Sequence, residues 1–144
     1  MSRMPKPTGP YLCYALAARQ NARQLSRLYD SHLAPAGLSI SQFSILSLLD
    51  AHGSLKITEL AQMLSMERTT VVRALKSLQV AGWVVAGRAD SGRSFDVALS
   101  RSGLKKVAEA VPLWKNAQTV FEREVGRDRA VRIRNELLEL NLGE

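Results

Sequence analysis

The chain has one cysteine, Cys13, and two histidines, His32 and His52, in 144 residues. A lone thiol closes no internal disulfide, and so few nitrogen and sulfur ligands offer no spacing that would build a metal site. No nucleophile elbow, phosphate-binding loop or paired-carboxylate motif is present. Neither an enzyme nor a cofactor is therefore expected. No apolar run approaches the ~18 residues that span a bilayer, and Met1–Pro10 lacks the apolar centre of a signal peptide. The expectation is a cytoplasmic protein with no membrane partner. A polybasic tract is missing too, so any surface for a polyanion has to be assembled by folding.

What the chain does have is a basic balance and ample apolar content. Lysine and arginine outnumber aspartate and glutamate by 20 to 13, for a net charge of +7, and 46% of residues are hydrophobic. A single unit with a real core fits that length. The charge favours an anionic partner such as nucleic acid, although charge alone also fits any basic soluble protein. The excess is +3 over residues 1–54, +3 over 55–101 and +1 over the remainder.

Punctuation along the chain marks the elements. Three prolines and a glycine in the first ten residues read as an arm, and Tyr11 to about Leu33, free of both residue types, reads as a long helix. Ala34-Pro35-Ala36-Gly37 ends it. Ser39-Ile40-Ser41-Gln42 has the form of a capping box and opens a second helix near Ser41, with Phe43, Ile45, Leu46, Leu48 and Leu49 turned inward. Gly53 closes that helix. Thr58 is expected to cap a short helix over Glu59–Leu64, and a turn at Ser65-Met66 leads to another over about Glu67–Val80, ended by Gly82.

Two short helices joined by a tight turn are the arrangement of a helix-turn-helix. Two extended runs follow, Trp83–Arg88 and Ser94–Leu99, flanking Ala89-Asp90-Ser91-Gly92-Arg93 as a hairpin with a polar tip. Ser100 is placed to cap a helix that Pro112 interrupts or bends, and Gly126 separates it from a last helix over about Arg127–Leu142. The fold class is mainly α with a small β-hairpin wing.

The helix from Glu67 carries the most information. At 100° per residue Val71, Val72, Leu75 and Leu78 fall in one stripe, while Thr69, Thr70, Arg73, Lys76 and Ser77 occupy the other side. That side has donors and no acids. It suits either a solvated surface or a helix in the major groove, with Arg73 on guanine or phosphate and Arg68, Thr69 and Thr70 near the helix start. An arginine at the hairpin tip, Arg93, is the candidate for the minor groove, and Arg88 for phosphate.

With these residues in view, the chain resembles the MarR family of winged helix-turn-helix transcription regulators over essentially its whole length. The likeness rests on Leu28-Tyr29-Asp30 through Leu46, on Leu60-Ala61-x-x-Leu64-x-Met66-Glu67-Arg68-Thr69-Thr70-Val71-x-Arg73-x-Leu75 through Gly82-Trp83-Val84, and on Leu99-Ser100-x-x-Gly103. The wing departs from the family pattern. Its tip there commonly reads Asp-Arg-Arg, and here Ser91-Gly92-Arg93 keeps one arginine.

The resemblance implies a homodimer held by terminal helices in residues 1–36 and 102–144, with the winged helix-turn-helix in 37–101. Two recognition helices then meet successive turns of a double-stranded, pseudo-palindromic operator, about 34–36 Å apart. Leu12, Leu16, Val131, Ile133, Leu137, Leu138 and Leu140 supply more apolar surface than a lone arm would leave uncovered. The family likeness also implies a repressor released by a small aromatic or phenolic effector, for which Tyr14, Phe43 and Trp114 could form walls and Arg19 and Arg23 an anchor.

Two other readings stay open. A redox-sensing repressor would use Cys13, yet alignment on Tyr29 puts Ala15 at the family's peroxide-sensing position and Ile40 where a supporting tyrosine belongs. An architectural DNA binder would share the charge but not the preference for one site.

Overall fold

The computed structural model describes residues 5–88 and 95–143. A 3-10 turn over Gly9–Leu12 leads into helix α1, Tyr14–Leu33, which starts three residues later than the absence of proline and glycine suggested. Pro10 lies within that turn, and Cys13 then caps α1, its sulfur accepting the Leu16 amide at 3.4 Å. At the other end the Gly37 amide bonds to the Ala34 carbonyl at 2.8 Å and the Leu38 amide to the Leu33 carbonyl at 3.4 Å. This is a Schellman closure. It requires the left-handed conformation that Gly37 adopts at φ +74°.

Helix α2, Ile40–His52, begins where the capping box placed it. Ser39 Oγ accepts the Gln42 amide at 3.2 Å, and Gln42 Oε1 accepts the Ser39 amide at 3.0 Å. Asp30 on α1 adds a third bond, its Oδ1 accepting the Ile40 amide at 2.7 Å, so the start of α2 is tied to the preceding helix. Helix α2 buries Phe43, Ile45, Leu46 and Leu49 and forms the centre of the core.

Strand β1, Ser54–Lys56, comes next and runs directly into α3, Ile57–Leu64. Both correct the reading from sequence. Ser54-Leu55-Lys56 is too short to show a strand period, and Lys56 stands at the N-cap of α3 in place of Thr58. Ser65 makes the tight turn in a left-handed conformation at φ +51°, and α4 follows over Arg68–Val80. Strands β2, Val84–Arg88, and β3, Phe95–Leu99, pair antiparallel, and β3 also pairs with β1, giving the order β1-β3-β2.

Helix α5, Arg101–Val125, is capped by Ser100 Oγ, which accepts the Gly103 amide at 3.1 Å. It continues through Pro112, which lies at an exposed position where water can replace the lost backbone bond. Helix α6, Arg127–Glu139, stops before Leu140, three residues short of the expected end. The main core joins α2 to Leu60, Val71, Leu75, Leu78, Val84, Val97, Val107 and Ala110. Within α1 only Leu33 is buried, so most of that helix projects from the core. Among the described residues no single helix is long and apolar enough to cross a membrane.

Candidate nucleic-acid interface

Helix α4 is seated by Val71, Leu75 and Leu78, each at most 3% exposed. They lie on one side of a 3.6-residue period. Val72 does not join them. It is 100° from Val71 and 43% exposed, which corrects its assignment to the inward stripe. With the buried stripe fixed, Thr69, Thr70, Arg73, Lys76 and Ser77 all emerge on the opposite, exposed side, and Arg68 is exposed in the first turn.

The N-terminus of α4 has no side-chain cap: Glu67 stands at the N-cap and contributes only its carbonyl, which accepts the Thr70 and Val71 amides at 3.1 Å. The first turn therefore presents amide donors and the positive end of the helix dipole beside Arg68 and Thr69. No acid occurs within α4. Among the described residues the one ion pair is Lys106–Glu109, so Arg68, Arg73 and Lys76 make none there.

The hairpin rises immediately after α4. Arg88 ends β2, its backbone paired with Phe95. Arg93 lies outside the described residues, as do the other tip positions. The junction between α4 and the hairpin is held tightly to α5: Ser100 Oγ and Ser102 Oγ both donate to the Gly82 carbonyl, at 2.5 and 2.6 Å, and the Trp83 carbonyl accepts the Ser100 amide at 3.0 Å.

A second feature lies away from this face. A cavity of about 430 Å³ opens between α1, α5 and α6, and its lining includes Leu25, Ile40, Trp114, Phe121, Val131 and Ile133. Its polar groups are Ser26, Tyr29, Gln118, Glu122 and Arg134. The Tyr29 hydroxyl donates a hydrogen bond to Gln118 Oε1. Burial, and secondarily the Glu122 carboxylate, raise the Tyr29 pKa above its ordinary value of 10.0.

Of the five effector-contact candidates, Trp114 alone lines this cavity. Phe43 is buried behind it, its ring centroid 6.1 Å from that of Trp114. Tyr14 is 92% exposed, and Arg19 and Arg23 are exposed on α1, so the structure does not bring these three to the cavity. Sequence reasoning missed Tyr29, Gln118 and Glu122. The i, i+4 spacing of Leu25 and Tyr29 and the run Trp114, Gln118, Phe121, Glu122 are the signals that place them on facing helix sides. Cys13 is exposed. Among the described residues no group of three or more His, Cys, Asp or Glu side chains is placed to hold a metal ion.

A short helix, a tight turn, a donor-rich second helix and an antiparallel hairpin packed behind it define a winged helix-turn-helix protein. Comparison with known proteins narrows the class. The MarR family model matches residues 38–86. An HTH-type transcriptional regulator of Bacillus subtilis, YwoH, is 33% identical over 90 residues, which is 62% of this chain and 66% of that protein.

Among solved structures, the Mycobacterium tuberculosis transcriptional regulator MosR in complex with DNA is 32% identical, with 89% of this chain and 99% of that one aligned at a TM-score of 0.73. The transcriptional repressor CouR, bound to a 23-mer DNA duplex, is 26% identical over 93% of this chain and 97% of that one, at a TM-score of 0.81. The chain belongs to the MarR family.

Proposed function

We propose that the protein is a sequence-specific DNA-binding transcription regulator of the cytoplasm, a repressor that binds a pseudo-palindromic operator as a homodimer. The observation that carries this reading is the outer side of α4, where Thr69, Thr70, Arg73, Lys76 and Ser77 are all exposed with no acid among them. In the major groove Arg73 reaches guanine or phosphate, Lys76 and Ser77 reach phosphate, and Arg68, Thr69 and Thr70 sit where the helix terminus favours an anion. Arg88 and Arg93 take the wing contacts, to phosphate and minor groove respectively. MosR and CouR, solved on DNA, support the same use of the same fold here.

Residues 37–101 form the DNA-binding part and residues 1–36 and 102–144 the dimer helices. Tyr11, Leu12, Leu137, Leu138, Leu140 and Leu142 are each at least 56% exposed in the single chain, and a second copy is the natural cover for them. The effector is a small aromatic or phenolic molecule. The cavity beside Tyr29 offers the apolar walls and the hydroxyl–amide pair such a ligand needs.

The test is binding to DNA selected from a random-sequence pool, compared with scrambled DNA by fluorescence anisotropy at several salt concentrations. Preference for the selected site by about 10³-fold or more is the expected result. Arg73→Ala should weaken it by about 1–3 kcal/mol, and Lys76→Ala should reduce the salt slope by about one. Equal binding to both DNAs would replace this reading with an architectural DNA binder.

A further inference from the structure

Lys106 does more than cover the surface of α5. Its Nζ donates to the Ala36 carbonyl at 2.9 Å, pairs with Glu109 Oε2 at 3.0 Å and lies 5.3 Å from the centroid of the Trp83 ring. The side chain is only 20% exposed. Each contact belongs to a different part of the molecule. Ala36 closes the turn at the C-terminus of α1, where carbonyls and the helix dipole favour a cation. Glu109 lies one turn along α5 itself. Trp83 stands between the end of α4 and the start of β2, so its ring reports the position of both the recognition helix and the wing.

We propose that Lys106 is the positioning residue that fixes the α4–wing junction to the terminal helices, and that it thereby sets the distance at which a dimer presents its two recognition helices. The inference rests on the dimeric DNA-binding reading above. A cation over the indole and a hydrogen bond to a helix-terminal carbonyl each prefer a narrow range of positions, and one ammonium group meets both together. The Ser100 and Ser102 hydroxyls hold the backbone of the same junction to the start of α5, at the Gly82 carbonyl. Lys106 adds what those bonds lack, a link onward to α1.

The distinguishing measurement is spacing selectivity. DNA is selected from a random pool on the wild-type protein, and the selected site is remade with one base pair inserted or deleted between half-sites. Each change moves one half-site by about 3.4 Å and rotates it about the duplex, which a rigid dimer should disfavour by roughly tenfold or more. Lys106→Met keeps the apolar stem over Trp83 but removes the charge and the donor. It should bind the three spacings within about threefold of one another, and Lys106→Arg, which keeps a charge, N–H donors and a cation for the indole face, should restore discrimination. A purely stabilising role would lower affinity for all three spacings alike, and that outcome, or unchanged discrimination in Lys106→Met, overturns the proposal.

If selection on wild type returns no paired half-sites, the dimeric DNA-binding reading fails, and amide hydrogen exchange then decides the coupling by itself. The Gly37, Leu38 and Trp83 amides are all hydrogen-bonded. In Lys106→Met they should exchange faster together, both segments returning to wild-type rates in Lys106→Arg. Faster exchange at one segment alone, or at neither, overturns the coupling.

Discussion

Gly103 and Trp83 are in backbone contact: a Cβ built on Gly103 would overlap the Trp83 carbonyl oxygen and stand 2.9 Å from the carbonyl carbon. This is why the segment Ser100-x-x-Gly103 can dock α5 against the base of the hairpin. Two effects oppose each other in Gly103→Ala. Helix propensity favours alanine by about 1 kcal/mol, whereas overpacking typically costs about 1–3 kcal/mol. The opposing atoms are main chain and cannot rotate aside, so the clash wins. Gly103→Ala should lower the urea midpoint by the equivalent of up to about 2 kcal/mol, with an altered Trp83 emission. An unchanged or raised midpoint would mean that α5 can shift freely against the hairpin.

The start of α2 is held from two sides, locally by the reciprocal Ser39 and Gln42 caps and from α1 by Asp30, which reaches the Ile40 amide. Ser39→Ala should destabilise the protein by about 1 kcal/mol, the usual value of an N-cap. Asp30→Ala should cost at least as much, because it frees a charge-assisted bond between helices. Since both act on one helix terminus, the double variant should fall short of or exceed the sum of the singles, which denaturant melts of all three proteins would detect. Strict additivity would show that the two caps act independently.

Tyr29 is half-buried at the cavity, and its pKa is raised by desolvation first and by Glu122 second. The neutral phenol is thus the form the fold favours. Its contribution to stability is fully present below the ordinary tyrosine pKa of 10.0 and is lost as pH rises through the folded-state value. Ultraviolet titration should show a tyrosine step lying late, above the ordinary value, and Tyr29→Phe should abolish that late step. Glu122→Gln should lower the late pKa without returning it to the ordinary value, because burial remains. A full return would make the carboxylate the dominant cause.

The parts of the fold legible in the sequence are those fixed by local chemistry. Ser39 and Gln42 give the start of α2, Gly37 and Gly53 give ends, and Ser100 gives the start of α5. The outer side of α4 was legible as well, since its apolar period leaves little choice about what faces out. Val72 went astray because a window of valines looks like one stripe, while the helix has room to bury only the side centred on Val71, Leu75 and Leu78. Strand β1 was invisible because its three residues acquire strand character only by pairing with β3. The cavity was mostly illegible for the same reason. Tyr29 and Gln118 are 89 residues apart, and nothing local announces their bond.

At the end of α6 and just beyond it apolar side chains stand exposed in the single chain: Leu137 is 56% exposed, Leu138 78% and Leu140 66%. Fully burying one leucine stabilises by about 1.5–3 kcal/mol, and a two-fold interface buries every such residue twice. A charge at Leu138 would have to be desolvated in both copies, so the single change Leu138→Glu is strongly amplified. Sedimentation equilibrium should give a dimer for wild type and mostly monomer for Leu138→Glu at micromolar concentration. Far-ultraviolet circular dichroism should still show a folded winged unit, because the core around α2 does not include this leucine. The monomer should lose at least tenfold in affinity for paired half-sites while binding a single half-site as wild type does. Dimeric Leu138→Glu would move the interface elsewhere on the terminal helices, leaving Tyr11 and Leu12 as the apolar surface to test next.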